Sequence, residues 1–191
     1  GATGNLVMAS VRAKGTTRLF NCAKEPEITQ LCEFLISMGA DINGVGTDTL
    51  IISGVKELNQ ADITVIPDRI EAGTFLMAGA LNGKIKVKNV IPSHLEKVTN
   101  KLIEAGCTIK IKDSSISISP PTKINSIDMT TAVYPGFPTD LQAQIMAALC
   151  TASGISVLEE RIFENRFMHA PELIRMGAKI DVHGGVAKVT G

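Results

Sequence analysis

Two patterns of apolar and polar residues occur along this chain, and they follow each other in a fixed order. Stretches in which nearly every position is apolar, such as Met146-Ala147-Ala148-Leu149, are typical of helices buried on all sides. Stretches in which apolar and polar positions alternate predict strands with one face in water; examples are Ile109-Lys110-Ile111-Lys112 and Ser115-Ile116-Ser117-Ile118. Their order defines one unit: a helix, a strand, a second helix and two short strands.

This unit occurs three times. Each copy has a Leu four residues before a Gly and an Ile three residues after it, and these glycines are Gly39, Gly106 and Gly177. A Gly that takes a positive φ commonly ends a helix, so each position predicts the end of a second helix. A further set ends the first helices: Gly15, Gly83 and Gly154. The repeat of about 70 residues is too long for a solenoid.

The pattern predicts approximate bounds for every element. The first helices are expected at about 3–13, 70–81 and 140–152, and the first strands at about 16–22, 84–90 and 155–161. The second helices are expected at about 26–38, 92–105 and 166–176. The closing strand pairs are about 40–44 with 48–53, 107–112 with 115–119, and 178–182 with 186–190. A leading strand is expected before the second and third units, at about 61–66 and 126–132.

Buried helices beneath half-exposed sheets reverse the usual layering of an α/β protein, in which helices cover the sheet. We therefore predict an α/β fold with its helices inside and its sheets outside. The first unit has no leading strand, and Gly191 directly follows a predicted strand. The sequence thus has the expected form of an internal piece of a longer protein.

Charge and composition exclude several classes of partner. Lysine plus arginine and aspartate plus glutamate number 19 each, so the formal net charge is zero and no field attracts nucleic acid. No apolar stretch reaches the roughly 20 residues of a membrane span, and the chain does not begin like a signal peptide. We expect neither nucleic acid nor membrane as a partner. Neither His94 nor His183 has metal ligands at a usable spacing, so no metal site is expected.

The four cysteines form no C-x-x-C pair. Cys32 and Cys150 lie in apolar helical patterns and are expected to be buried, whereas Cys22 and Cys107 lie at element edges, where both burial and exposure stay open. Free thiols in a chain of this size indicate a reducing compartment, and we therefore expect a cytoplasmic protein.

The run from Tyr134 to Gln144 carries the sharpest chemical signal. Two prolines and a glycine give a rigid, non-helical approach, and Thr139 and Asp140 follow where a helix is expected to begin. Asp is a preferred helix cap. The same fixed carboxylate also suits a general base, and a cap alone needs no rigid approach. Both interpretations of Asp140 stay open on these residues.

Six runs together resemble one enzyme family, the UDP-N-acetylglucosamine enolpyruvyl transferases (1-carboxyvinyltransferases). They are Gly1-Ala2-Thr3, Lys24-Glu25-Pro26-Glu27-Ile28, Gly46-Thr47-Asp48-Thr49, the run from Ile66 to Phe75, the run from Pro135 to Gln144, and the run from Phe163 to His169. They cover the chain in the family's order. The resemblance implies an inside-out α/β barrel of six units in two lobes. Residues 1–67 would be the last unit of the first lobe and 68–191 two units of the second, with breaks near 67 and 135.

The resemblance also implies a reaction. The family transfers the enolpyruvyl group of phosphoenolpyruvate to the 3-hydroxyl of UDP-N-acetylglucosamine, without a cofactor, in peptidoglycan precursor synthesis, and so serves cell-wall growth and division. Asp140 would be the base, and Arg166 would face phosphoenolpyruvate. The backbone of Ile162 and Phe163 would contact the sugar nucleotide, and that of Gly1 its diphosphate. The family's acid, a loop cysteine, and most of its cations would lie outside these residues, so this chain alone is expected to be inactive.

Plainer interpretations accompany these roles. Arg166 would otherwise pair with Glu164 or Glu172 on a solvated helix face. Asp68 is expected to cap a helix first and, with Arg69, to lie at the crossing between lobes second. Glu25 precedes Pro26 at a helix start, where capping is the simpler role. His169 is expected to be partly buried.

Two other functions remain open on the sequence. One is a relative of the shikimate-pathway enolpyruvyl transferase. The other is a non-catalytic scaffold or binding module with the same fold.

Overall fold

A computed structural model describes residues 1–191 as two compact units, Gly1–Ile66 and Pro67–Gly191. The first unit contains α1 (Ala2–Ser10), β1 (Thr16–Phe20), α2 (Pro26–Ser37), β2 (Asp41–Asn43) and β3 (Thr49–Ser53). The second contains α3 (Arg69–Asn82), β4 (Ile85–Lys88), α4 (Glu96–Glu104), β5 (Thr108–Lys112), β6 (Ser115–Ser119), β7 (Met129–Thr130), α5 (Gln142–Leu149), β8 (Ile155–Glu159), α6 (Ala170–Arg175), β9 (Lys179–His183) and β10 (Val186–Thr190). Short 3₁₀ turns, Pro92–Leu95 and Thr139–Leu141, precede α4 and α5.

The predicted order of helix, strand, helix and two strands is present in all three copies, but some bounds differ. The last second helix, expected from about 166, begins only at Ala170, because Pro171 favours the first turn of a helix. The leading strand expected at about 126–132 is reduced to β7. The leading strand expected at about 61–66 is absent; the backbone of Thr64 and Ile66 hydrogen-bonds the Gln30 side chain instead of another strand.

The second helices of the three copies end in the same way. In the first copy the Ala40 N–H donates to the Leu35 carbonyl and the Gly39 N–H to the Ile36 carbonyl, which is the Schellman arrangement. The same pair of bonds closes α4 and α6. The glycines have positive φ in each case: 101° at Gly39, 96° at Gly106 and 100° at Gly177. The predicted helix ends are confirmed.

Each copy contributes one antiparallel sheet. The strand orders are β1-β3-β2, β4-β6-β5 and β8-β10-β9, and the short β7 adds to β8 in parallel. In the middle sheet Ile116 and Ile118 of β6 point into the core. The other face carries lysines: Lys86 and Lys110 lie on either side of Ser117, and Lys88 and Lys112 on either side of Ser115.

The first helices are not equally buried. In the second unit α3 packs against α5, and Leu76, Met77, Ile145 and Met146 are at most 2% exposed. In the first unit α1 packs against α2 and β3 and buries only Gly4, Val7 and Ser10. The expectation of full burial therefore holds for α3 and α5 and is wrong for α1, because its unit supplies no second central helix.

A glycine sets the closest approach between α3 and the start of α5. A Cβ atom at Gly73 would collide with the side chain of Leu141, which is fully buried. Leu141 belongs to the 3₁₀ turn before α5, so the absence of a side chain at Gly73 lets this turn lie directly on α3. This contact places the neighbouring residue, Asp140.

Candidate active site

Asp140 lies in the 3₁₀ turn Thr139–Leu141, which follows Pro138. The α-helix itself begins at Gln142, so Leu141 occupies its N-cap position and no side chain caps it. Of the two interpretations of Asp140, the helix cap is wrong, because the 3₁₀ turn separates Asp140 from the start of the α-helix. That carboxylate instead accepts a hydrogen bond from Arg166, with 2.6 Å between Asp140 Oδ1 and Arg166 Nη2.

Buried apolar residues hold the turn on both sides of Asp140. Phe137 is 4% exposed and Leu141 is fully buried. The Phe137 carbonyl accepts from the Ala132 N–H at 3.0 Å, and the Pro138 carbonyl accepts from the Leu141 N–H at 3.1 Å. Asp140 is therefore a half-exposed side chain on a firmly packed backbone, as the rigid approach through Pro135 and Pro138 predicted.

Arg166 lies in the loop between β8 and α6. Its guanidinium contacts Asp140 and also lies over the Phe163 ring, 4.9 Å from the ring centroid. The proposed pairing with Glu164 or Glu172 is wrong, since Glu172 accepts instead from Arg175 at 3.0 Å. The Arg166 side chain is 37% exposed and that of Asp140 56%, so the pair itself contributes about 0–1 kcal/mol to stability. Its position matters more for chemistry than for folding.

Glu160 lies between the turn that carries Asp140 and the loop that carries Arg166, and it is only 7% exposed. Oε1 accepts from the Thr131 hydroxyl at 2.9 Å and from the Ile162 and Phe163 N–H groups at 2.8 and 3.1 Å. Oε2 accepts from the Thr139 hydroxyl at 2.8 Å and from Gln142 Nε2 at 3.3 Å. Burial alone would raise the pKa of Glu160, but the hydrogen bonds from Thr139, Ile162, Thr131 and Phe163 outweigh it and lower that pKa. The residue is therefore a carboxylate at neutral pH.

Asp140 and Arg166 line one cavity of about 680 Å³. Its other walls include Thr139, Phe163 and His169. Burial, and secondly the charge of Arg166, lower the pKa of His169, so the imidazole is neutral at pH 7. His169 is partly buried, as predicted, and its buried Nε2 has no hydrogen-bond partner. The cavity thus presents two acidic side chains, Asp140 and Glu164, and the Arg166 guanidinium beside a neutral histidine.

The predicted site residues of the second unit lie in two places. Ile162 and Phe163 share the loop with Arg166, and Ile162 lines a smaller cavity of about 420 Å³ beside Gly184 and Gly185. At the start of α3, Asp68 Oδ1 accepts from the Ile70 and Glu71 N–H groups at 2.7 and 3.2 Å, which confirms the predicted cap. The Arg69 guanidinium lies 5.6 Å from the centroid of the Tyr134 ring.

Gly1 and Glu25 belong to the first unit. Gly1 occupies the N-cap position of α1, and its carbonyl accepts from the Asn5 N–H at 3.2 Å. Glu25 occupies the N-cap position of α2 before Pro26, but its side chain makes no capping bond, so that interpretation is wrong. One of its carboxylate oxygens, Oε2, is buried without a hydrogen-bond partner. The Ile28 N–H, which a side-chain cap could serve, donates instead to the Glu25 carbonyl at 2.9 Å.

Glu160 was not predicted as a site residue, although the sequence contains a signal for it. Ser156 and Leu158 are the buried positions of β8, so the alternation of the strand continues inward at Glu160. An acidic residue at an inward position must find hydrogen-bond donors.

The cysteines depart from expectation at Cys150, which was expected to be buried and is only partly buried. All four thiols are free, and Cys22 and Cys107, for which exposure was left open, are buried at 7% and 5% exposure. Burial raises the pKa of the Cys32, Cys107 and Cys150 thiols. These groups are therefore poor nucleophiles at neutral pH.

No group of three or more His, Cys, Asp or Glu side chains is placed to hold a metal ion. No helix has the length and apolar character needed to cross a membrane.

Comparisons with known proteins match this chain to enolpyruvyl transferases. The family model described as EPSP synthase (3-phosphoshikimate 1-carboxyvinyltransferase) matches residues 1–191. The UDP-N-acetylglucosamine 1-carboxyvinyltransferase of Helicobacter pylori strain Shi470 is 53% identical over 192 residues, which cover 99% of this chain and 46% of that protein. The enzyme of the same name from Campylobacter hominis is 51% identical with the same coverage.

A solved structure agrees with these relatives. The enolpyruvyl transferase NikO from Streptomyces tendae superimposes with a TM-score of 0.85 at 29% identity, over 97% of this chain and 44% of that one. The predicted enolpyruvyl-transferase-like α/β fold is confirmed, as is the resemblance that the sequence motifs indicated. The chain spans about half the length of the curated relatives it matches.

Proposed function

The chain belongs to the EPSP synthase (3-phosphoshikimate 1-carboxyvinyltransferase) family, and we propose that it forms part of a UDP-N-acetylglucosamine 1-carboxyvinyltransferase. The reaction joins the enolpyruvyl group of phosphoenolpyruvate to the sugar 3-hydroxyl and releases phosphate, in peptidoglycan precursor synthesis. Support for this substrate pair comes from the relatives of that name, which are more than half identical to this chain. The free thiols support a cytoplasmic location.

The observation that carries the proposal is the Asp140–Arg166 pair at the edge of the cavity. The addition step needs a base for the sugar hydroxyl and a cation for the carboxylate or phosphate of phosphoenolpyruvate. A carboxylate and a guanidinium held 2.6 Å apart supply both charges in one place.

Both members of the pair reach into open space. Asp140 is half exposed on its packed turn, so a hydroxyl can approach it without movement of the backbone. Arg166 uses Nη2 for Asp140, and its planar guanidinium offers further N–H donors to an anion. An incoming carboxylate or phosphate would share the guanidinium with Asp140, and the two substrates would thereby meet at the pair.

The remaining assignments stay predictions from the family resemblance. They are sugar-nucleotide contacts for Gly1 and for the backbone of Ile162 and Phe163, and a place near the crossing between lobes for Glu25, Asp68 and Arg69. The assignment of 1–67 to the first lobe and of 68–191 to the second is likewise a proposal.

The test is Asp140→Asn in the complete protein that contains this chain. The amide keeps the shape and still binds a hydroxyl but is a very poor base, so the single-turnover rate should fall by about 10²–10⁴-fold. The affinity for UDP-N-acetylglucosamine should change little. Asp181→Asn is a matched control, because Asp181 lies on the exposed surface of β9 beside His183.

A near-normal chemical rate in Asp140→Asn would show that Asp140 is not the base. Turnover of 3-phosphoshikimate in place of the sugar nucleotide would refute the proposed substrate. The 191-residue chain assayed alone should release no phosphate above a protein-free control.

A further inference from the structure

We propose that Glu160 is a positioning residue that holds Asp140 and Arg166 in register with each other. The inference rests on the proposed function, since it concerns the two residues to which that function assigns the chemistry. Glu160 lines the smaller cavity beside Gly184 and Gly185 but not the one that contains Asp140 and Arg166, so it acts on these two residues through other groups.

The two carboxylate oxygens of Glu160 bind two different segments. Oε2 accepts from Thr139 and Gln142, which lie one residue before and two residues after Asp140. Oε1 accepts from the N–H groups of Ile162 and Phe163, which begin the loop that leads to Arg166. One rigid planar group therefore joins the turn that carries the base to the loop that carries the cation.

Thr131, the residue after β7, is hydrogen-bonded to the same carboxylate. Thr131 donates its hydroxyl to Glu160 Oε1 at 2.9 Å and accepts from the Arg161 N–H at 2.9 Å. The Glu160 N–H donates to the Gly185 carbonyl at 2.8 Å. Neither the backbone nor the carboxylate of Glu160 is free to move without breaking several of these bonds.

The negative charge itself is required by the partners. The Ile162 and Phe163 N–H groups are fixed donors, and Gln142 directs its Nε2 at Glu160 while its buried Oε1 has no partner. In Glu160→Gln one carboxylate oxygen becomes an NH₂ group. This group would face hydrogen-bond donors in either orientation: the Ile162 and Phe163 N–H groups on one side, or Thr139 and Gln142 on the other. The hydroxyl of Thr139 can rotate and the Gln142 amide can turn over, so Glu160→Gln should loosen the arrangement without abolishing it.

Glu159 offers a matched control one residue away. It is also a strand-end glutamate, but it pairs with the exposed Arg161 at 2.8 Å and contacts neither the Asp140 turn nor the Ile162–Phe163 backbone. Glu159→Gln removes a charge and an ion pair of ordinary surface type, so a change of about twofold or less in rate is expected.

The experiment compares Glu160→Ala, Glu160→Gln and Glu159→Gln in the complete protein. Displacement of a catalytic group by about 1 Å can lower a rate by about 10²-fold, and this is the fall in kcat expected for Glu160→Ala. Glu160→Gln should restore part of that loss. If Glu160→Ala does not fold, Glu160→Gln carries the test, with a rate below that of Glu159→Gln as the expected result.

A double substitution separates positioning from mere structural support. Because Glu160 acts in part through Asp140 and in part through Arg166, adding Glu160→Gln to Asp140→Asn should lower the single-turnover rate by less than Glu160→Gln does alone. Losses that multiply in full would overturn the proposal. Equal rates for Glu160→Gln and the wild type would overturn it as well.

A readout without turnover keeps this inference distinct from the proposed function. In Glu160→Gln the Ile162 and Phe163 amides should exchange with solvent faster than in Glu159→Gln, and a crystal structure should show the Asp140–Arg166 pair lengthened or broken. If the wild type does not transfer enolpyruvyl groups, the proposed function fails while this geometric test still stands. An unchanged pair with unchanged amide exchange refutes the positioning role.

Discussion

The first unit forms its hydrophobic core from one repeat, whereas the second unit forms a single core from two repeats. Helix α1 leaves Leu6 and Met8 about half exposed, at 51% and 50%. Helix α5 buries Ile145 and Met146 almost completely, at 2% and 0%, against α3 and the sheets of its own unit. The two helices are similarly rich in Ala, Met and Leu, so their composition does not account for the difference.

The contrast shows what buries a helix that is apolar on every side. One sheet and one second helix cover only one face of α1, because a helix presents its whole circumference and these neighbours lie on one side. In the second unit the first helix of each repeat covers the open face of the other. Burial of such helices is thus a property of paired repeats rather than of one repeat.

The largest expected effect comes from truncating the same residue type in the two settings. Met146→Ala should destabilise the second unit by about 2–5 kcal/mol, because it leaves a cavity in a closed core. Met8→Ala should change the stability of the first unit by no more than about 0.5 kcal/mol. Residue-resolved urea unfolding of the 191-residue chain by NMR measures each unit separately. Equal losses would mean that α1 is covered in solution and would remove the contrast.

A glycine pair sharpens the comparison at smaller cost. Gly73→Ala forces a methyl group into Leu141, and overpacking of this kind typically costs about 1–3 kcal/mol. Gly4→Ala in α1 meets only the side-chain ends of Ile28 and Leu31 at 3.4 Å, so the higher helix propensity of alanine should stabilise that unit by up to about 1 kcal/mol. The same unfolding experiment reads both variants. A stabilising Gly73→Ala would contradict the tight approach of α3 to the turn of Asp140.

The smallest expected effect is on the pH dependence of the stability of the second unit, which contains Glu160. Hydrogen bonding lowers the folded-state pKa of Glu160, so its contribution to stability is present above the unfolded-state pKa and is lost as pH falls through the folded value. The second unit should therefore lose stability below about pH 4.5, the ordinary value of the group. Unfolding curves between neutral and acidic pH provide the measurement, with Glu160→Gln as the comparison. A slope that survives this substitution would assign the effect to other carboxylates.

Local signals were enough to predict much of the fold. The glycine of a Schellman end and the alternation of a hairpin are set by a few neighbouring residues, and Gly39, Gly106 and Gly177 behave as their spacing predicted. The cap at Asp68 is of the same kind, since both acceptor and donors lie within four residues.

Features that depend on distant partners were not predictable in this way. Leu141 packs on Gly73, 68 positions away in the chain. Leu141 belongs to the 3₁₀ turn that takes Asp140 out of the cap position. The partner of Arg166 was likewise mistaken, because Asp140 lies 26 residues away whereas Glu164 and Glu172 are local. Asp140 and Arg166 were found through motifs, but their pairing required the fold.

The lysines of the middle sheet affect whether copies of this chain can associate edge to edge. Strands β4 and β5 are the two edges of that sheet, and the edge of a sheet offers unpaired backbone groups to any passing strand. Each edge carries two exposed lysines at alternate positions, Lys86 and Lys88 on one and Lys110 and Lys112 on the other. A second copy that approached edge to edge would bring like charges together, so these strands are protected against aggregation, most strongly at low ionic strength.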